Sequence, residues 1–212
     1  MSHITGNNAL KPRRVHKPAE EREVEILTAA TKVFAASGYR GAEVQAVADR
    51  AGVGKGTVYR HFPSKEELFT ETLRFNLDTL KTEMEAARDA QQRPLEKLRE
   101  SMRAYMQYFE RNPDVIELFV QERAEFRDGR QMMYYLYAEA GREEWKQLYV
   151  DIAAEHELRH QDPEALMDAC GDLMQGAVAM GYSPLPRAPL SQRFELLFDI
   201  YLHGILVQPP EQ

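Results

Sequence analysis

The sequence predicts an all-α protein in which a compact three-helix unit precedes a larger helical body, about nine helices in all. Three observations carry this. From Pro18 onward, apolar residues recur at three- and four-residue spacing. No segment alternates apolar and polar residues for long enough to make a strand. Prolines and glycines fall between the periodic stretches, where helices start and stop.

The elements follow in order. Residues 1–17 show no hydrophobic period and hold Lys11, Arg13, Arg14, His16 and Lys17, which predicts a flexible basic arm. The first helix begins at Pro18, with Glu20, Glu21 and Glu23 at the positive end of its dipole. Ile26, Leu27, Ala30, Val33 and Phe34 form its apolar face, and Gly38 is placed to end it. A short helix over 43–50 turns Val44, Val47 and Ala48 inward and stops at Gly52. Another over about 55–62 is anchored by Val58 and Phe62. Pro63-Ser64 breaks the chain, and Ser64 with Glu67 predicts a capping box for the next helix. Further helices are expected over about 65–91, 94–111, 113–127, 130–160, 163–182 and 190–207. The expected domains are the arm 1–17, a helical unit 18–69 and a helical body 70–212.

Composition narrows the class. One cysteine, Cys170, excludes an intramolecular disulfide and fits a reducing compartment. Neither a signal-peptide pattern nor a run of about 18 apolar residues is present, so a soluble cytoplasmic protein is expected. The net charge of −7 divides unevenly: residues 1–69 carry 11 basic against 8 acidic side chains, and residues 70–212 carry 16 against 26. A basic end on an acidic body suits a small nucleic-acid-contacting module on a body that stays clear of the polyanion.

Residues 42–62 give that module its form. Two short helices are joined by Ala51-Gly52-Val53-Gly54, where glycine supplies a positive φ. Val47, Ala48, Val53 and Val58 lock the pair from inside. The second helix then exposes Lys55, Gly56, Thr57, Tyr59, Arg60 and His61. Lysine and arginine donate to phosphates or guanine edges, glycine allows close backbone approach, and the short polar groups fix register on phosphates. Lys65 stands at the first turn of the following helix, a natural phosphate contact.

The run Gly38-Tyr39, Val44-x-x-Val47-Ala48, Ala51 to Phe62 and Lys65-Glu66-Glu67-Leu68 closely resembles the tetracycline-repressor (TetR) family over residues 22–69. The resemblance implies a ligand-responsive transcriptional regulator, a repressor in type, that binds a pseudo-palindromic double-stranded DNA operator as a homodimer. It places Lys55, Gly56, Thr57, Tyr59, Arg60 and His61 on the DNA-reading helix and Lys65 on a phosphate. Two positions depart from the pattern: Ala42-Glu43 stands where hydroxyl residues are usual, and Gly54 where serine is common. The arm 1–17 is then either a solvated terminus or a segment laid along phosphates or into a minor groove.

The body is expected to supply a dimer surface and an effector pocket. Small and apolar residues of the last two helices suggest pairing: Leu166, Ala169, Leu173, Ala177 and Met180, with Phe194, Leu197, Phe198, Tyr201 and Leu202. Burial within one protomer is the rival for each of them. The middle helices are rich in aromatics and methionine, and Met102, Tyr105, Met106, Phe109, Phe119, Phe126, Met133, Tyr137, Trp145 and Met174 are candidates to line a pocket for a small apolar or aromatic effector. No cofactor or catalytic residue is predicted.

Three other signals compete. His156-Glu157-Leu158-Arg159-His160 spells the H-E-x-x-H of a zinc hydrolase, which requires both imidazoles on one helix face. Asp162-Pro163 ends any helix just beyond it and no glutamate occurs between Glu164 and Glu195 as a third ligand, although Asp168 or Asp172 could complete a site, so a charged helix end is the plainer reading. Gly54-Lys55 fails the spacing of a phosphate-binding loop. Glu122 and Glu125 share a helical face expected to meet solvent. A helical interaction protein without DNA binding is the remaining class, supported only by Glu43.

Overall fold

The structure, a computed structural model, describes residues 18–126, 131–179 and 188–207. Ten α-helices occupy these residues. The basic arm, Met180 and the C-terminal tail lie outside them.

α1 (Ala19–Gly41) starts after Pro18 and is interrupted at Gly38, whose φ of 70° leaves residues 39–41 as a separate final turn. α2 (Val44–Arg50) and α3 (Lys55–His61) are joined through Gly52 at φ 66°. The Val53 amide closes that turn by donating to the Ala48 carbonyl at 3.0 Å. α4 (Lys65–Asp89) is capped by Ser64, whose hydroxyl accepts from the Glu67 amide at 3.0 Å. α5 (Pro94–Arg111) and α6 (Pro113–Glu125) each open on proline, where a missing N–H costs nothing.

Two apolar clusters organise these helices. The first joins Ile26, Leu27, Ala30 and Phe34 to Val44, Val47, Ala48, Val58, Phe62, Leu68, Phe69 and Leu73, and draws in Leu118 from α6. The second begins at Leu77 and Leu80 of the same α4 and takes in most of the body. The change from one cluster to the other therefore falls inside an unbroken helix, one turn beyond Leu73.

The helix expected over 130–160 is instead two, α7 (Met133–Ala140) and α8 (Arg142–Glu155), meeting at Gly141. Trp145 lies over this junction: a Cβ on Gly141 would stand 3.5 Å from its indole. Beyond Glu155 the chain is extended rather than helical, with His156 at φ −134° and ψ 142°. Leu158 forms an antiparallel bridge with Leu206, the Val207 amide donates to Glu157 O at 3.0 Å, and the Arg159 amide donates to Ile205 O at 2.8 Å. Both leucines are buried, so burial of Leu158 and backbone pairing outweigh continuing the helix. α9 (Pro163–Ala179) and α10 (Leu190–Ile205) complete the body.

The turn glycine gives a clean test. A Cβ on Gly52 would meet nothing within 4 Å, so only backbone strain opposes a side chain there. Gly52→Ala should cost about 1–2 kcal/mol of folding stability in urea unfolding, and Gly54→Ala, at an ordinary φ of −78°, should cost distinctly less.

Candidate DNA-reading helix and effector cavity

α3 is held by its inner face and offers its outer one. Val58 is fully buried between α1 and α2, and Phe62 closes the helix end. Lys55, Gly56, Tyr59 and Arg60 are exposed, with Thr57 and His61 half-buried. The Lys55 ammonium lies 5.9 Å from the Tyr59 ring centroid, and Arg60 Nη2 approaches Thr57 Oγ1 at 3.5 Å. Gly56 is not imposed by packing, since an added Cβ would meet nothing within 4 Å. His61 is turned back toward α1, with Nδ1 3.6 Å from a Glu23 carboxylate oxygen.

Lys65 occupies a more structural position than its sequence suggested. Its ammonium donates to the Arg40 carbonyl at 3.0 Å and sits 5.1 Å from the Tyr39 ring centroid. It thus ties the start of α4 to the turn that follows Gly38. Ala42 is buried in the first cluster, so no side chain at that position faces outward, whereas Glu43 is exposed at the start of α2.

Behind this unit, polar contacts cross to the body. The Asn76 amide on α4 donates to Thr31 Oγ1 on α1 at 2.9 Å, and the Tyr108 hydroxyl on α5 donates to the Asn76 carbonyl at 2.8 Å. All three residues are buried, which makes each hydrogen bond costly to lose. On α6, Gln121 Nε2 donates to Phe34 O at 2.9 Å. The neighbouring Glu122 is buried, contrary to the solvent-facing expectation, and accepts the Met133 amide at the start of α7 at 2.8 Å. Glu125 also has a partner, Arg40 Nε at 2.7 Å.

The body encloses a cavity of about 720 Å³ between α4, α5, α7, α8 and α9. Met102, Tyr105, Tyr137, Trp145 and Met174 line it, as the sequence suggested. The other candidates lie elsewhere. Met106 and Phe109 are fully buried core, with Phe109 packed edge-on to Tyr105 and Tyr108. Phe126 joins an aromatic cluster with Tyr39 and Phe69 at 5.1 and 5.8 Å between centroids. Phe119 and Met133 pack between the two apolar clusters. Sequence reasoning missed the α4 wall, Leu77, Leu80 and Met84, together with Leu98. Their only signal was the three- and four-residue period of the helices expected over 65–91 and 94–111, which does not say which face meets a cavity. Tyr105 and Tyr134 share a hydrogen bond between hydroxyls at 3.3 Å, and Tyr137 donates to Asp78 at 2.7 Å.

The last two helices present a different face from the one expected. Leu166, Ala177, Phe194, Phe198, Tyr201 and Leu202 are all buried within the protomer. Phe194 and Phe198 stack at 5.2 Å beneath Arg103 and Arg99, and the Tyr201 hydroxyl donates to Leu166 O at 2.9 Å. The apolar side chains that reach out of α10 are Leu196 and Ile200, 63% and 56% exposed. Ala169 and Gly204 are exposed beside them, and Leu173 and Leu197 are half-buried. An open groove of about 530 Å³ runs between α9 and α10 past Ala165, Ala169 and Gly204.

His156, Glu157 and His160 lie on the extended segment before α9, so the two imidazoles do not share a helix face. Among the described residues, no group of three His, Cys, Asp or Glu side chains is placed to hold a metal ion. No described helix is long and apolar enough to cross a membrane.

An α2-turn-α3 unit with an exposed polar outer face, joined by one long helix to an all-helical body that holds an apolar-walled cavity, defines the class of helical DNA-binding regulators. Residues 26–72 match the family model for bacterial regulatory proteins of the tetR family. The transcriptional repressor KstR2 of Mycolicibacterium smegmatis is 31% identical over 146 residues, 69% of each chain. The transcriptional activator FasR of the same organism is 36% identical over 93 residues, a match that spans 44% of this chain and only 42% of FasR. The solved structure of KstR2 from Mycobacterium tuberculosis superposes with a TM-score of 0.68 at 26% identity, covering 88% of this chain and 96% of that one. The chain belongs to the tetR family, whose members here are DNA-binding transcriptional regulators rather than enzymes.

Cys170 reports on the closure of the cavity wall. Burial pushes its thiol up to about 11, against the opposing hydrogen bonds of Tyr149 and Tyr201. Only about one thiol in a thousand is then ionised at pH 8, and the thiolate is the nucleophile. Iodoacetamide should label Cys170 at least about a hundredfold more slowly in the native protein than in urea, as read by mass spectrometry. The native rate should rise tenfold per pH unit up to that range.

Proposed function

We propose that this protein is a ligand-responsive repressor that binds a pseudo-palindromic DNA operator as a homodimer and leaves it when a small, largely apolar or aromatic effector fills the body cavity. The observation that carries the reading is the outer face of α3. Lys55, Gly56, Thr57, Tyr59 and Arg60 make few contacts that the protomer needs, while Val58 and Phe62 hold the helix firmly from behind. Such a helix is built to meet an external surface, and lysine, arginine and tyrosine suit a duplex groove lined with phosphates. KstR2 of Mycolicibacterium smegmatis, alike over two thirds of both chains, supports repression as the sign of control.

Pairing would bring two α3 helices into successive major grooves about 34 Å apart. Leu196, Ile200, Leu197, Leu173, Ala169 and Gly204 are the surface available for it, since the inner residues of α9 and α10 are already committed to the protomer core. His61 and Lys65 would act partly by holding α1 and α4 against α3, with Lys65 still near enough to a helix start to reach a phosphate. Effector release would run through α4. A ligand against Leu77, Leu80 and Met84 has to displace the helix that carries Asn76 and ends at Lys65. A ligand moves this equilibrium only as far as it prefers one arrangement over the other.

Selection of duplexes from random DNA tests the reading directly. A pseudo-palindromic sequence should emerge, and recovery of no duplex even at low salt would sink the proposal. Lys55→Ala with Tyr59→Ala should abolish binding to the selected site while changing stability by no more than about 0.5 kcal/mol, because both side chains are exposed. Lys65→Ala should weaken binding across sequences and lower the salt slope by about 1.

A further inference from the structure

Resting on the reading of the body cavity as the effector site, we propose that the effector it takes is an apolar molecule carrying a positive charge, an alkyl or aryl ammonium, rather than a neutral or anionic one. The charges of the cavity lining make the case. Lys81, Arg88 and Arg142 are the cations, and each already faces an acid. Lys81 Nζ lies 3.6 Å from Glu85, Arg88 Nη1 2.7 Å from Glu144, and Arg142 holds Asp168 through two nitrogens at 3.0 and 3.2 Å. The lining holds two further acids, Glu139 on α7 and Asp172 on α9, which face no cation among the described residues. Among the described lining residues, three cations stand against five acids, and an anionic head group would have to break one of these ion pairs to find a partner there.

The walls agree with the rim. Trp145, Tyr105, Tyr134 and Tyr137 stand around the apolar floor of Leu77, Leu80 and Met102. Aromatic faces carry negative quadrupole density and attract ammonium groups inside about 6 Å. Burial chiefly, with a smaller contribution from the nearby Asp172 carboxylate, opposes ionisation of the Tyr134 hydroxyl, so carboxylate and ring address the same part of the cavity. Desolvation by the apolar floor strengthens the aromatic attraction relative to water, while the exposed carboxylates add a weaker, solvent-screened pull at the rim. A neutral alcohol of the same shape would gain the floor alone.

Three matched probes separate the possibilities by isothermal titration of the full chain at pH 7.5: decyltrimethylammonium, 1-decanol and decanoate. The ammonium should bind about tenfold more tightly than the alcohol, and the carboxylate should bind more weakly than both. Asp172→Asn with Glu139→Gln, both exposed positions, should remove most of the ammonium preference and leave alcohol binding unchanged. Met174→Trp should fill the cavity and block all three. If the alcohol binds, is blocked by Met174→Trp, and the ammonium is no tighter, the charge assignment fails while the cavity reading stands. Decanoate binding as tightly as the ammonium overturns it in the same way. If none of the three binds the unaltered protein, both fail.

Discussion

The structure depends on α4 remaining one helix from end to end. Its 25 residues span about 37 Å, and its two halves belong to different apolar clusters. Leu68, Phe69 and Leu73 pack with α1, α2 and α3, whereas Leu77 and Leu80 pack with the body and line the cavity. A continuous helix cannot shorten or fold to absorb a push at one end without losing backbone hydrogen bonds. A displacement of α4 at the cavity would therefore be passed on as tilt at Lys65. Asn76 stands where the two clusters meet and is bonded both to α1 through Thr31 and to α5 through Tyr108. A buried amide there fixes the register of the three helices more narrowly than leucine would, since its partners are directional.

α6 runs a second line between the same regions. Gln121 grips the backbone of α1 at Phe34, and the adjacent Glu122 grips the first amide of α7, whose later residues roof the cavity. None of the residues of α7 is fully buried. It is held by a few polar contacts, including Tyr134 to Tyr105 and Tyr137 to Asp78, and is the wall most easily moved. α4 can move only as one piece whereas α7 can yield locally, so the cavity has one stiff wall and one adaptable wall.

Much of this was legible from local chemistry. The α2–α3 turn was readable because Gly52 and the cap at Ser64 are set by neighbours a few residues away. Val47, Val58 and Phe62 were readable as anchors because the helical period assigns them one face. What was not legible depends on which face meets which partner. Phe194 and Phe198 look alike whether buried in one chain or between two, and the stacking of Arg99 and Arg103 on them comes from a helix some 90 residues away in sequence. Glu122 was misplaced for the same reason: its acceptor role is defined by an amide beyond the end of its own helix. The H-E-x-x-H letters assumed a helix that the pairing of Leu158 with Leu206 replaces.

That small pairing has a consequence of its own. By bonding residues 157–159 to 205–207, the chain staples the start of α9 to the end of α10 and closes a loop of nearly fifty residues. The two helices are thereby joined at that end as well as along their shared core, where Tyr201 bonds to Leu166. They form a single stiff slab carrying Leu196 and Ile200 on its outer side. A ligand in the cavity, under the proposed function, would work against walls braced by this pair of helices, with the outward surface of α10 held in place by the pairing.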